Sequence, residues 1–455
     1  MGSTERPLHL QCGENELVRV LVGHNDGGTF LPSLQTLYWV PADDGDDETF
    51  LSTLSCSRTL VRLHLQQPDS SHGTPAVLKP DVHLKGAPLL RVLVIKWNAQ
   101  HVNVPITSIV SNFNELRRVQ LECEQLGPSD LELLGRSQSL EYIHCEKVTD
   151  FEDFRRKIKL PGTRTLKVVG QIENVSSFVS CVEAPLLREF LVDIGIPRSP
   201  QLMLQCVKCI RSSSFSANLH TLHLEIYPLF TEDRLADVTI IVNPVLLSSL
   251  LEPCYTLKTL QNLAVKATRS TVIIMTDDDL NTVARGSQRL RSLSISYVTF
   301  LCEPLSPEDQ ANPHAINMSA IRSRASGAPI TVLRHFALHC PHLVTLSLDC
   351  VRISTEGKNL RDLSASWRES LGAARGHPLR NLSLKARRIY VRPDASFDPL
   401  EVEEYLDTLF PELDTARLRE QVPGPYISDD WEGVVDGIAV RQRGRRMSWE
   451  KTLAV

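Results

Sequence analysis

No run in these 455 residues stays apolar long enough to cross a membrane. A spanning helix needs roughly 20 such residues. The most apolar segment, DVTIIVNPVLLSSLL (237–251), is broken by Asn243, Pro244 and two serines, so it reads as a buried helix or a pair of strands. The N-terminus, MGSTERPLHLQCGENELVRVLV, has a short apolar run interrupted by charge, unlike a secretory signal. Enzyme signatures are missing too. There is no G-x-G-x-x-G, Walker phosphate loop, H-E-x-x-H or G-x-S-x-G. Neither charge sign dominates. The formal net charge is -5, which argues against nucleic acid as the partner. The 11 cysteines are odd in number and widely spread, which argues against a disulfide scaffold. The expectation is an intracellular protein, cytoplasmic or nuclear, with reduced thiols and no membrane association. The sequons at Asn174, Asn317 and Asn381 then carry little weight.

What the sequence does have is a repeat. The fragment CPHLVTLSLDC (340–350) sets Leu343, Leu346 and Leu348 as L-x-x-L-x-L. The same phrase returns at Leu34, Leu37 and Trp39, at Leu60, Leu63 and Leu65, at Leu90, Leu93 and Ile95, and at Leu116, Val119 and Leu121. It continues at Leu140, Ile143 and Cys145, at Leu187, Phe190 and Val192, at Leu219, Leu222 and Leu224, at Leu290, Leu293 and Ile295, and at Leu379, Leu382 and Leu384. Weaker copies lie at Leu166 to Val168 and at Leu260, Leu263 and Val265. Their spacing, mostly about 24 to 32 residues, is the period of a leucine-rich repeat.

Each unit is too small to bury its own apolar face, so neighbouring units must cover it. The expected fold is α/β: a leucine-rich-repeat solenoid, a curved horseshoe with parallel strands on the concave face and helices on the convex face. Helical spacing of apolar residues marks 47–60, 104–116, 127–140 and 276–290. Ser129 reads as one N-cap, with Glu132 three residues on, and Thr276 as another, with Asp279 at the third position. The chain divides into a short lead-in or cap (1–30), an irregular solenoid (31–400) with a loop inserted at 302–329, and a capping helix with a basic tail (401–455). An extra element is expected within 225–260. The stretch 398–421 reads as a helix with Val402, Leu406 and Leu409 on one face, ended by Pro411 and followed by a strand-like segment.

Candidate chemistry dissolves into this frame. Cys340 ends a helix before a strand, and Cys350 and Cys123 each follow one. CVKC (206–209) lies inside a helical stretch, where cysteines three apart share a face and pack. Asp277, Asp278 and Asp279 suit a helix start without a metal. The histidines His64, His144 and His223 fall at solvent-facing strand positions with no matching nucleophile or acid. No catalytic residue, metal or cofactor is expected. The side chains between the inward leucines point the other way. They make the candidate binding face: Tyr38, Arg62, His64, Lys96, Arg118, Gln120, Tyr142, His144, Glu146, Glu189, Asp193, His223, Glu225, Lys266, Ser294 and Lys385. Mixed aromatic and charged groups suit a protein partner there.

The phrases LPSLQTLYW (31–39), APLLREFLV (184–192), FALHCPHLVTLSLDC (336–350) and EVEEYLDTLFPELDT (401–415) add a resemblance. Across roughly residues 30 to 435 the chain resembles the leucine-rich-repeat regions of fungal F-box-like proteins of the mushroom type. The resemblance implies a substrate receptor: an F-box docks on a Skp1-type adaptor of a cullin ubiquitin ligase, and the repeats choose the substrate. Residues 1–30 lack the F-box pattern. The expectation is therefore a non-catalytic protein-interaction module, receptor-like for a cullin-type ligase, or alternatively a free-standing scaffold or regulator unrelated to ubiquitin.

Overall fold

A computed structural model describes residues 34–39, 59–66, 89–96, 113–195, 200–227, 245–267, 273–296, 298–301, 325–326, 328–349, 351–352, 360–371, 377–385, 398–420 and 428–453. The expected lead-in at 1–30 and most of the helix expected at 47–60 lie outside these residues, as do most of the one at 104–116 and of the insertion at 302–329. The chain forms two compact units. One comprises Met1–Ile194 with Ser212–Leu219, the other Gly195–Arg211 with His220–Val455.

In the first unit the L-x-x-L-x-L phrases become parallel strands: β1 (Thr36–Trp39), β2 (Arg62–Gln66), β3 (Val92–Lys96), β4 (Arg118–Leu126) and β5 (Tyr142–Val148). After a short strand β6 (Ile158–Lys159) come β7 (Thr165–Gln171), a second short strand β8 (Val182–Glu183) and β9 (Glu189–Gly195). β7 pairs parallel with β5, β9 lies beside β7, and β6 and β8 pair with each other. The register aligns equivalent residues. Leu37, Leu63, Leu93, Val119, Ile143 and Leu166 form one row, and Leu65, Ile95, Leu121, Cys145 and Val168 a second. Every member of both rows is fully buried. Side chains alternate along a strand, so a one-residue slip would expose all of them; this locks the register.

A backbone device recurs at each strand start. Two successive N–H groups donate to one carbonyl of the preceding repeat: Arg91 and Val92 to Val61, Arg117 and Arg118 to Arg91, Glu141 and Tyr142 to Arg117, Arg164 and Thr165 to Glu141, Arg188 and Glu189 to Arg164. Behind the strands run the helices Pro128–Leu134 and Ile172–Cys181. The second buries Ile172, Val175, Phe178 and Val179. Its Asn174 carbonyl accepts the buried N–H of Phe151 at 3.0 Å, which makes this sequon asparagine a structural bond between repeats. The first helix is capped two residues earlier than expected. Gly127, not Ser129, is the N-cap, Pro128 takes the first helical position, and Asp130 accepts the Gly127 N–H at 3.0 Å. Proline lacks only an N–H that the first turn leaves unbonded anyway, so it outcompetes the serine for defining the start.

In the second unit the strands β10 (Thr221–Tyr227), β12 (Asn262–Ala267), β14 (Ser292–Ser296), β18 (Thr345–Asp349) and β20 (Asn381–Lys385) pair parallel in that order. Short strands flank them: β11 (Val245–Leu246), β13 (Ile273–Met275), β15 (Thr299–Leu301) and β16 (Ala325–Ser326) make one small sheet, β17 (Ala328–Pro329) and β19 (Val351–Arg352) another. CVKC lies in the helix Pro200–Ser212, with Cys206 fully buried. The helix Asp277–Gly286 starts as read: Thr276 accepts the Asp279 N–H at 3.2 Å and Asp279 accepts the Thr276 N–H at 3.1 Å. Thr276→Ala removes half of this reciprocal cap and should destabilise the second unit by about 1 kcal/mol, read as a lower urea midpoint.

The C-terminal end departs from expectation. FPELDT (410–415) begins like another repeat: Leu413 donates to Phe410, and the Asp414 N–H donates to the Arg380 carbonyl at 2.8 Å, as a next strand would. No strand follows. The Asp414 carboxylate accepts the N–H groups of Ala416 and Arg417 at 3.1 and 3.2 Å, starting the helix Thr415–Glu420. An N-cap aspartate turns the chain where a strand was expected. The preceding helix Pro399–Leu409 buries Val402, Leu406 and Leu409, and the basic tail is itself a helix, Ser428–Leu453.

Candidate functional site: the open face of the first unit

The strand residues between the buried rows stand on the face away from the helices. Arg62 and Arg118 are exposed, and Tyr142 and His64 half-buried. Tyr38 stacks on His64, ring centroids 4.3 Å apart and planes 21° apart. The Arg118 guanidinium lies 4.1 Å over the Tyr142 ring, a cation–π arrangement that holds both in place. Its other end meets Gln120 at 3.3 Å. Lys96 pairs with Glu122 at 3.2 Å and Lys167 with Asp193 at 3.0 Å, while Glu189 accepts from Thr165 at 3.2 Å. Glu146 is exposed beside this network. Burial first, then Arg118, Arg62 and Lys96, hold the His64 pKa below its usual value.

His144 departs from its expected solvent-facing position. It stands on the open face, opposite Gln120 and Lys167 in register, yet only 5% of it is exposed. Its Nδ1 lies 3.7 Å from a Glu122 oxygen, and its Nε2 has no hydrogen-bond partner among the described residues. Burial, helped by Lys167 and opposed by Glu122, pushes its pKa down to about 4. Between pH 6.5 and about 4 the unfolded chain binds a proton here that the folded chain refuses, so stability falls as pH drops through that window. His144→Leu should flatten this part of the decline, seen by comparing urea midpoints of both proteins at about pH 7 and about pH 5.

In the second unit the open face has other chemistry. Along the register Thr221 aligns with Asn262, Ser292, Thr345 and Asn381. The Asn262 amide donates to Thr221 at 3.1 Å and the Asn381 amide to Thr345 at 3.2 Å. His223 aligns with Ala264 and Ser294, and Glu225 pairs with Lys266 at 2.5 Å. Lys385 ends β20 opposite Asp349; its side chain lies outside the described residues. The sixteen candidate residues are divided between the two units.

One row was missed in the sequence. The residue after the leading leucine, the one whose carbonyl takes the paired N–H groups, is repeatedly arginine. The phrases LLRVL (89–93), ELRRV (115–119), GTRTL (162–166) and LLREF (186–190) set Arg91, Arg117, Arg164 and Arg188 at strand starts in the first unit. RLRSL and PLRNL do the same for Arg291 and Arg380 in the second. All six are exposed. The recurring LR pair is its signal in the sequence.

Three buried thiols, Cys145, Cys254 and Cys340, are ill-suited to nucleophilic work. Burial pushes Cys145, Cys254 and Cys340 up to about 12, whereas a reactive cysteine needs a lowered pKa. Among the described residues no group of three His, Cys, Asp or Glu side chains could hold a metal ion, and no helix is long and apolar enough to cross a membrane.

The repeating register and buried leucine rows define a leucine-rich-repeat fold. No family model and no curated protein matches the chain. Among solved structures, an internalin (inlF) from Listeria monocytogenes is similar at 14% identity and a TM-score of 0.35, covering 82% of this chain and 88% of that one. A Bacteroides fragilis protein is similar at 9% identity and a TM-score of 0.33, covering 63% and 73%.

Proposed function

We propose that this chain is a non-catalytic protein-interaction module whose first unit binds its partner on the open face of the sheet. The supporting observation is the row of large, chemically varied side chains at Tyr38, Arg62, His64, Lys96, Arg118, Gln120, Tyr142 and Glu189 on the face away from the helices. Aromatic and arginine side chains are the types that anchor protein interfaces. Their poses are held by stacking and ion pairs, which lowers the entropy lost on binding. The finer reading is a substrate receptor for a cullin-type ubiquitin ligase, supported by the repeated P-x-L-x-x-L-x-L phrase and by YLDTLFPEL (405–413). The test is proximity labelling with the full chain and its Tyr142→Ala/Arg118→Ala variant side by side. Partners recovered with the first and lost with the second support the module. A Skp1-type adaptor and a cullin among the recovered proteins support the receptor. Reproducible partners without either leave a free-standing scaffold. A partner set indifferent to the substitutions refutes the face.

A further inference from the structure

The arginines at the strand starts have too few anions to satisfy them. Arg91, Arg117, Arg164 and Arg188 follow the register of β3, β4, β7 and β9, with Glu141 at the intervening β5 position. Arg117 pairs with Glu141 at 3.7 Å, across two half-exposed side chains. Arg91, Arg164 and Arg188 have no carboxylate partner among the described residues, nor do Arg62 and Arg118 on the adjoining row. The opposite end of the same strands is different. There Glu122 and Asp193 each take a lysine, and Glu146 adds further negative charge. Arginine therefore outnumbers carboxylate at the strand starts, where only Glu141 and Glu189 stand among the arginines, whereas at the strand ends the carboxylates of Glu122 and Asp193 are matched by lysines.

We propose that the strand-start edge of the first unit binds an acidic segment of a partner protein, laid across β3 to β9. This rests on the reading of that sheet as the binding surface and names the chemistry that occupies it. Strands lie about 4.8 Å apart, so the arginine row from β3 to β9 runs for about 19 Å, the reach of an extended peptide of about six residues. Arginine suits the role because its planar fork takes a carboxylate through two parallel hydrogen bonds, and its charge persists at every physiological pH. The backbone donors of these residues are already used in joining repeats, so the row is fixed to the sheet rather than carried on a mobile loop. A nucleic acid fits less well. The arginine row is short and the chain as a whole is negative, which disfavours a long polyanion.

The test displays random twelve-residue peptides to the full chain and sequences those retained. The expected result is peptides rich in Asp and Glu. Binding of a synthesised winner should fall on the order of 30-fold in the Arg91→Glu/Arg188→Glu variant and weaken with added salt. It should be unchanged in Arg291→Glu, the same repeat position in the second unit. Circular dichroism checks the fold, and glutamine replaces glutamate in any variant that fails it. Winners without acidic enrichment that are lost in Tyr142→Ala overturn the acidic assignment and leave the binding face standing. Winners indifferent to both sets of substitutions, or no winners at all, overturn both. A labelled twenty-residue oligothymidylate bound as tightly as the acidic peptides also overturns the assignment, since the edge would then accept any polyanion.

Discussion

Phe178→Ala destabilises the first unit by about 3–5 kcal/mol. Phe178 is fully buried on the helix Ile172–Cys181, and its ring meets Phe151 edge-on at 5.3 Å and 76°. Phe151 in turn is tied to the same helix through Asn174. The alanine leaves a cavity bordered by two repeats, and the aromatic pair's geometric preference is lost with it. A repeat touches only its neighbours, so the damage spreads along the stack rather than through a common core. Urea unfolding should show the lower midpoint, and amide exchange should quicken across β5 to β9. Phe178→Leu, which keeps most of the volume, should cost less than about 1.5 kcal/mol. Equal effects of the two substitutions would mean that the site collapses freely and that the ring is not a keystone of the stack.

Arg445→Met should cost the second unit about 3 kcal/mol. Arg445 grips the Asp407 carboxylate with both ends of its fork, at 2.5 and 2.6 Å, and also donates to the Pro411 carbonyl at 3.2 Å. The Asp407 side chain is only 7% exposed, so removing the cation leaves a buried charge alone. One turn away Arg441 donates to Glu403 through its Nε alone, and Gly437 leaves the space that Glu403 fills. Two i, i+4 pairs thus face each other and fasten the Ser428–Leu453 helix to the Pro399–Leu409 helix. The double variant Asp407→Leu/Arg445→Met should regain most of the loss, because no charge is then stranded. A double variant as unstable as the single one would mean that the arginine acts through its contact with Pro411 instead.

The period of the leucines was legible because burial imposes it: each strand must offer the same two residues inward, and Leu, Ile and Val do so at most of them, with Cys145 and Phe190 as exceptions. Thr276 and Asp279 were legible because a capping box is a local bond whose partners are three residues apart. Other features depend on what lies beside them. Whether Ser129 or Gly127 caps a helix turns on Pro128 and Asp130. Whether 411–420 is strand or helix turns on Asp414, whose carboxylate captures two N–H groups that a strand would have offered elsewhere. The alternation along β5 gives the position of His144, but not its burial, which depends on neighbouring strands that no spacing reveals. The arginine row was written in the sequence as LR and went unread, since its meaning appears only when the strand starts are aligned.

If the first unit meets its partner through the open side of the sheet, a probe on that side must reach the partner. A photo-crosslinking amino acid placed at position 142 in the full chain, and separately at position 180, tests it directly. Tyr142 stands on the open face, and Ser180 is exposed on the helix behind it. One discrete protein adduct should form from position 142 and none from position 180. Adduct formation from position 180 alone would contradict it, and would move the binding surface to the helical side of the repeat.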